Sequence, residues 1–150
     1  AVERYLWQPA GTELGAHVTL DREGTPRAAG GMSALPRDIA RLGQIVAERG
    51  AGLVSEDFVD DLLHAGHREQ WARGDFASMW ADGAYRSCWY TPNVDPDVAV
   101  GIGIHGQMLY VDVAREVVVV ILSSWSEPDD EPSHLDNHTI CRTLAHTIAG

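Results

Sequence analysis

The chain has 150 residues, enough for one compact domain that buries roughly two-thirds of its unfolded surface without disulfide or metal staples. It is 45% hydrophobic and 22% charged with seven prolines, a globular composition, and no apolar run approaches the roughly 20 residues a membrane helix needs. Twenty-two acids against eleven bases give a net charge of -11, which repels nucleic acid and anionic membranes, and all eleven bases are arginine, so no Walker-A loop, Schiff-base lysine or Ser-x-x-Lys nucleophile pair is possible on this chain.

Residues 1–7 read as the last turns of an amphipathic helix with Val2, Tyr5 and Leu6 on one face. A chain opening inside a helix, with no methionine and no basic leader, is expected to be a fragment without a secretion signal of its own. Residues 8–32 are rich in Gly and Pro and predict loop, with one short alternating strand over His17-Val18-Thr19-Leu20. Ile39, Leu42, Ile45 and Val46 recur at helical spacing, which predicts a helix over 34–49 with Ser33 as its N-cap, Pro36 in its first turn and Gly50 after its end. A second helix over 55–65 starts at Ser55, carries Glu56 and Asp57 at the positive end of its dipole, and has Phe58, Val59, Leu62 and Leu63 as its apolar face. Residues 66–84 have no period but hold Trp71, Phe76, Met79 and Trp80, as expected of a long loop covering something apolar.

Strands are predicted over 85–90, 98–105, 107–113 and 117–123. The unbroken run Val117 to Leu122 suits a central strand covered on both faces, with Asp112 to Glu116 as the hairpin turn before it. Ile140, Cys141, Leu144, Ala145 and Ile148 mark the apolar face of a final helix over about 135–149. The expected class is α+β, an antiparallel sheet flanked by helices, in a single segment spanning residues 1–150.

Gly101-Ile102-Gly103-Ile104-His105-Gly106 matches the dinucleotide-binding G-x-G-x-x-G letter for letter, but a true fingerprint opens a helix, whereas Gln107 to Val111 continues as strand. Glycines in a strand signal instead a close approach to the backbone or a bulge; with Gly101 and Gly103 on one face, the Ile104 amide could address a ligand, and a tight packing contact is the competing reading. Gly31-Met32-Ser33-Ala34-Leu35 ends in Leu where a nucleophile elbow needs Gly, so Ser33 is read as the helix cap. His134 and His138, and the looser set His64, His67 and Glu69, are read as surface residues, because no third ligand completes a metal site. Glu127, Asp129, Asp130 and Glu131 read as a solvated loop, and Cys88 and Cys141 as free thiols of a reducing, cytoplasmic compartment. No metal or other cofactor is expected, and neither nucleic acid nor a membrane as partner.

Several segments together resemble a known family: Trp7-Gln8-Pro9-Ala10-Gly11, Thr19-Leu20-Asp21 with Gly24, Ala29-Gly30-Gly31, Arg37-Asp38-Ile39-Ala40-Arg41-Leu42-Gly43, Gly101 to Gln107, and Val118 to Trp125. They are similar to the C-terminal half of the serine β-lactamase-like hydrolases, and most of all to the 6-aminohexanoate-dimer, or nylon-oligomer, hydrolases. The resemblance implies part of a two-domain fold in which an antiparallel sheet flanked by helices adjoins an all-helical region. It also implies that Ser-x-x-Lys and a catalytic tyrosine precede this chain.

On this resemblance, Gly101, Ile102 and Gly103 stand where β-lactamases carry Lys-Thr-Gly on the strand lining the cleft. The missing lysine points away from β-lactams and toward an uncharged amide or ester. The Ile104 N–H would be one of two oxyanion donors, with Gly103 leaving room for the carbonyl oxygen. Tyr90, Ala29, Asp129 and His105 would contact substrate, Asp129 by attracting an ammonium. The isolated chain is expected to be inert. Two other readings remain open: a non-catalytic binding module, or a fragment completing an active site with a separate N-terminal chain. A fragment is further expected to show a broken sheet edge and an exposed apolar flank.

Overall fold

The computed structural model describes residues 1–27 and 30–150. The sequence builds a small ribbon, β1 (His17–Val18) against β2 (Met32–Ser33), then α1 (Pro36–Ala47), α2 (Glu56–His64) and the single turn α3 (Arg68–Trp71). Five strands follow: β3 (Ala84–Arg86), β4 (Trp89–Thr91), β5 (Val98–Gly103), β6 (Gln107–Asp112) and β7 (Val117–Ile121). They form an antiparallel meander in chain order, and α4 (Glu131–Ile148) closes the chain. Among the described residues, no helix is long and apolar enough to cross a membrane.

Alternation along β5 and β6 divides the core in two. Ala99, Val111 and Val113 pack with Val46, Ala47, Val59, Leu62 and Leu63 of the α1–α2 layer. Val98, Val100, Met108 and Tyr110 face the other way, onto Cys141 and Ala145 of α4. Gly43 lets α1 lie close on the sheet, since a Cβ there would sit 2.7 Å from Val118. Residues 66–84 form the flap their aromatics imply: Trp71, Met79 and Trp80 are buried, and the Trp71 indole N–H donates to the Trp80 carbonyl at 2.8 Å.

At the chain start, Glu3–Trp7 forms one wide helical turn that buries Trp7 and leaves Val2 and Tyr5 exposed. The Trp7 indole donates to the Leu14 carbonyl at 2.7 Å, and the neighbouring Glu13 and Leu14 amides donate to buried Asp38 at 2.7 and 3.1 Å. Those amide bonds, chiefly that of Glu13, hold the Asp38 carboxyl below its usual range against the opposing effect of burial.

Several boundaries differ from the sequence reading for identifiable reasons. Ser33 does not cap α1: it pairs with His17 in β2, and Leu35 occupies the cap position, where its side chain accepts no bond. The expected strand over 85–90 folds back on itself, because Ser87 and Cys88 adopt φ of 49° and 68° and make a two-residue turn that sets Tyr85 opposite Tyr90. Among the described residues the Val117–Ile121 strand is the last of the sheet rather than a central one; its apolar run reflects the cover of α1 on one face and α4 on the other. Helix α4 begins four residues early, at Glu131, where the Asp130 carboxylate accepts from the Ser133 amide. Its buried stripe is His134, His138, Cys141 and Ala145, while Ile140, Leu144 and Ile148 are exposed.

Candidate functional site

Strand β5 stops at Gly103 rather than continuing to His105, and residues 104–106 make one tight helical turn before β6. His105 sits at φ 57° and Gly106 at φ 84°, conformations that ordinary side chains rarely adopt and that persist where surroundings over-determine them. The surroundings are visible. His105 N–H donates to the Pro128 carbonyl at 2.8 Å, and its carbonyl accepts from the Trp125 amide at 3.3 Å. Its ring Nδ1 lies 3.0 Å from the Trp125 carbonyl, which can only accept, so Nδ1 carries the proton. Gln107 adds a clasp: its Nε2 is 2.7 Å from the Ser123 carbonyl and 3.2 and 3.3 Å from those of His105 and Ile104. A Cβ on Gly106 would lie 2.3 Å from the Trp125 ring, so the glycine and the indole fit as a pair.

The clasp fixes Ile104. At the first position of the turn its amide has no acceptor within the turn, and among the described residues it donates to none. Two cavities, of about 710 and 230 Å³, meet along Ile102, Gly103 and Ile104. The larger opens toward Met32, Ser33 and Ile39, and the smaller toward Phe76, Tyr90, Asp129 and His134. A Cβ at Gly103 would press on the Gln107 side chain at 3.0 Å, whereas at Gly101 it would make only ordinary contacts. Gly103 is thus the glycine of the strand that its close neighbour requires.

Of the other sequence-derived candidates, Tyr90 and Asp129 line the smaller cavity together with Ile104. Burial, and secondarily the Asp129 charge, raise the Tyr90 phenol above its ordinary value, so it is a neutral donor. His105 neighbours the cavities but spends Nδ1 on the turn. Ala29 lies outside the described residues.

His134 and His138, expected at the surface, are buried at 1% and 5% exposure. His134 Nε2 is 3.0 Å from the Asp129 carboxylate, which accepts, and its ring meets Trp125 edge-on at 4.8 Å. The histidine therefore holds an otherwise exposed carboxylate at the cavity rim. The successive steps of four, three and four from His134 through His138 and Cys141 to Ala145 were the available signal of burial. His138 packs between Trp80 and Tyr110 at 5.2 and 5.7 Å. Among the described residues, no group of three or more His, Cys, Asp or Glu side chains is arranged to hold a metal.

Chemically, the site offers a fixed backbone donor at the junction of two cavities, with a phenol and an anchored carboxylate beside it. The sheet and its flanking helices are matched by a family model described as beta-lactamase over residues 1–139, and the chain belongs to the beta-lactamase family. Over 139 residues it is 37% identical to a 6-aminohexanoate-dimer hydrolase of Paenarthrobacter ureafaciens, a match covering 89% of this chain and 35% of that protein. A solved Bacillus anthracis protein described as a 6-aminohexanoate-dimer hydrolase shares the fold, with a TM-score of 0.81 at 24% identity over 98% of this chain and 37% of that one. The chain therefore spans little more than a third of the length of these relatives.

Proposed function

We propose that this chain forms the C-terminal part of the catalytic unit of a serine hydrolase that cleaves uncharged amide or ester bonds. The observation that carries the reading is the Ile104 N–H, unpartnered among the described residues and held at the junction of two cavities by the His105, Gln107 and Trp125 contacts. In that role the chain supplies the cleft wall and one of two oxyanion donors. A serine hydroxyl from elsewhere in the protein attacks the substrate carbonyl carbon, and the Ile104 amide donates to the oxygen as it becomes an alkoxide. As its bond to the carbonyl carbon breaks, the leaving amine or alcohol receives the proton the serine hydroxyl gave up; water then adds to the acyl carbon, giving the free acid and returning a proton to the serine oxygen. A single such donor is worth about 3 kcal/mol in the transition state, so the chain without a nucleophile is inert.

Two features support a part that completes a larger unit. Among the described residues β7 has no strand beyond it, and the exposed side chains of Met32, Ile104 and Leu122 line the larger cavity. Anchored at the smaller cavity, Asp129 suits an amine-bearing end of a substrate whose scissile carbonyl lies at Ile104.

The test uses a ¹⁵N-labelled chain titrated with N-butylbutanamide. The proposal expects a saturable shift of the Ile104 amide resonance, with p-nitrophenyl butyrate left unhydrolysed. An unmoved Ile104 resonance, or phosphonate-sensitive ester turnover by the chain alone, would overturn it.

A further inference from the structure

A third cavity, of about 310 Å³, lies beside the smaller one, and the Phe76 and Tyr90 rings are common to both linings. Its lining holds the carbocyclic and indole rings of Trp71, Phe76, Tyr85 and Tyr90, together with the His67 imidazole and the Gln70 amide. Among the described residues no Ala, Val, Leu, Ile or Met lines it, and Asp75 supplies a carboxylate. The rings are not stacked. Phe76 and Trp71 stand at 76° and 74° to the Tyr90 ring, at 5.5 and 6.0 Å, while Tyr85 is tilted 54° at 4.8 Å. Rings inclined so steeply make walls and a corner instead of a flat platform.

The walls are held in advance. Tyr85 and Tyr90 are cross-strand partners in the β3–β4 hairpin, and the Trp71 indole is fixed by its bond to the Trp80 carbonyl. Gly74 and exposed Asp75 leave the mouth open. An aromatic ring presents a negative face, and several such faces around one space attract a cation whose hydration is weak. The Asp75 carboxylate and the net charge of -11 act in the same direction.

We propose that the Trp71, Phe76, Tyr85 and Tyr90 pocket is an aromatic cage that binds an organic ammonium group, a methylated one in preference. The site does not depend on the hydrolase reading, because it involves neither Ile104 nor bond cleavage. Its position past the Phe76 and Tyr90 wall makes it separate from the cavity of Asp129.

The experiment titrates the chain with choline and, in parallel, with 3,3-dimethyl-1-butanol, the neutral compound of the same shape, reading tryptophan fluorescence and calorimetric heat. Choline should saturate and bind about tenfold more tightly than the alcohol. Tyr85→Leu keeps an apolar wall at a half-exposed position and should lose most of that preference, while Tyr5→Leu, on an exposed tyrosine of the first turn, should keep it. Asp75→Asn, on an exposed loop residue, should weaken choline about threefold and leave the alcohol unchanged. Equal binding of the two compounds, no saturation by choline, or an unchanged preference in both Tyr85→Leu and Asp75→Asn would overturn the proposal; the Asp75 variant decides if the Tyr85 variant fails to fold.

Discussion

Replacing Gly106 by alanine tests whether the turn that presents Ile104 is held by its contact with Trp125. Two costs are separable. Gly106 has φ 84°, and forcing an alanine there costs about 1–2 kcal/mol. The added Cβ would also lie 2.3 Å from Trp125 Cε2 and 2.6 Å from Cδ2, atoms of a rigid fused ring that also packs against His134 at 4.8 Å. Relieving that overlap costs about 1–3 kcal/mol more. Gly24 is the internal control: it has the same φ of 84°, and a Cβ there meets nothing within 4 Å. Urea unfolding should therefore show Gly106→Ala destabilised by about 2–5 kcal/mol and Gly24→Ala by about 1–2 kcal/mol. Adding Trp125→Ala to Gly106→Ala should return about 1–3 kcal/mol as a coupling energy. Equal destabilisation by the two alanines, or no coupling with Trp125, would refute the account of the turn.

Further outcomes follow from burial elsewhere. Burial pushes the Cys141 thiol up to about 12, while Cys88 is exposed, so iodoacetamide at pH 8 should label one cysteine in the native chain and two in urea, read by mass spectrometry. Burial likewise depresses His138 below its ordinary 6.5, so the unfolded chain takes up its proton first as pH falls. The His138 contribution to stability is then complete above pH 6.5 and is lost as pH falls from there toward the folded value. His138→Gln should flatten the pH dependence of the urea midpoint in that window, and an unchanged slope would contradict the assignment.

Much of the fold was legible because its patterns are local and strong. Alternation placed β5 and β6, and the helical spacing of Ile45 and Val46 placed α1. Where the reading failed, a residue's type did not report its surroundings. His134 and His138 lie inside the protein while Ile140 and Ile148 do not, because the imidazole rings pack against Trp80, Tyr110 and Trp125, contacts no hydropathy scale contains. Ser87 and Cys88 make a positive-φ turn without glycine or asparagine, so nothing marked the break between β3 and β4. An apolar run states that both faces of a strand are covered, and is silent on whether its edge is paired, which is why β7 read as central. At the site, Gly103 and Ile104 stood out by composition, and Tyr90 and Asp129 through family resemblance. Helical spacing with His138, Cys141 and Ala145 signalled that His134 is buried, but its contact with Asp129 shows only in the folded chain.

The central claim is that Ile104 acts as an oxyanion donor in a serine hydrolase. It is tested most directly by inserting this chain in place of the matching 139 residues of the Paenarthrobacter ureafaciens relative and measuring kcat on a neutral ester, with and without Ile104→Pro, which removes the N–H at the first position of the turn, where proline is tolerated. The account predicts phosphonate-sensitive turnover by the chimera and a fall in kcat of about 100-fold in the variant, with KM little changed. A folded chimera that takes up phosphonate yet turns over equally well with Ile104→Pro would contradict it.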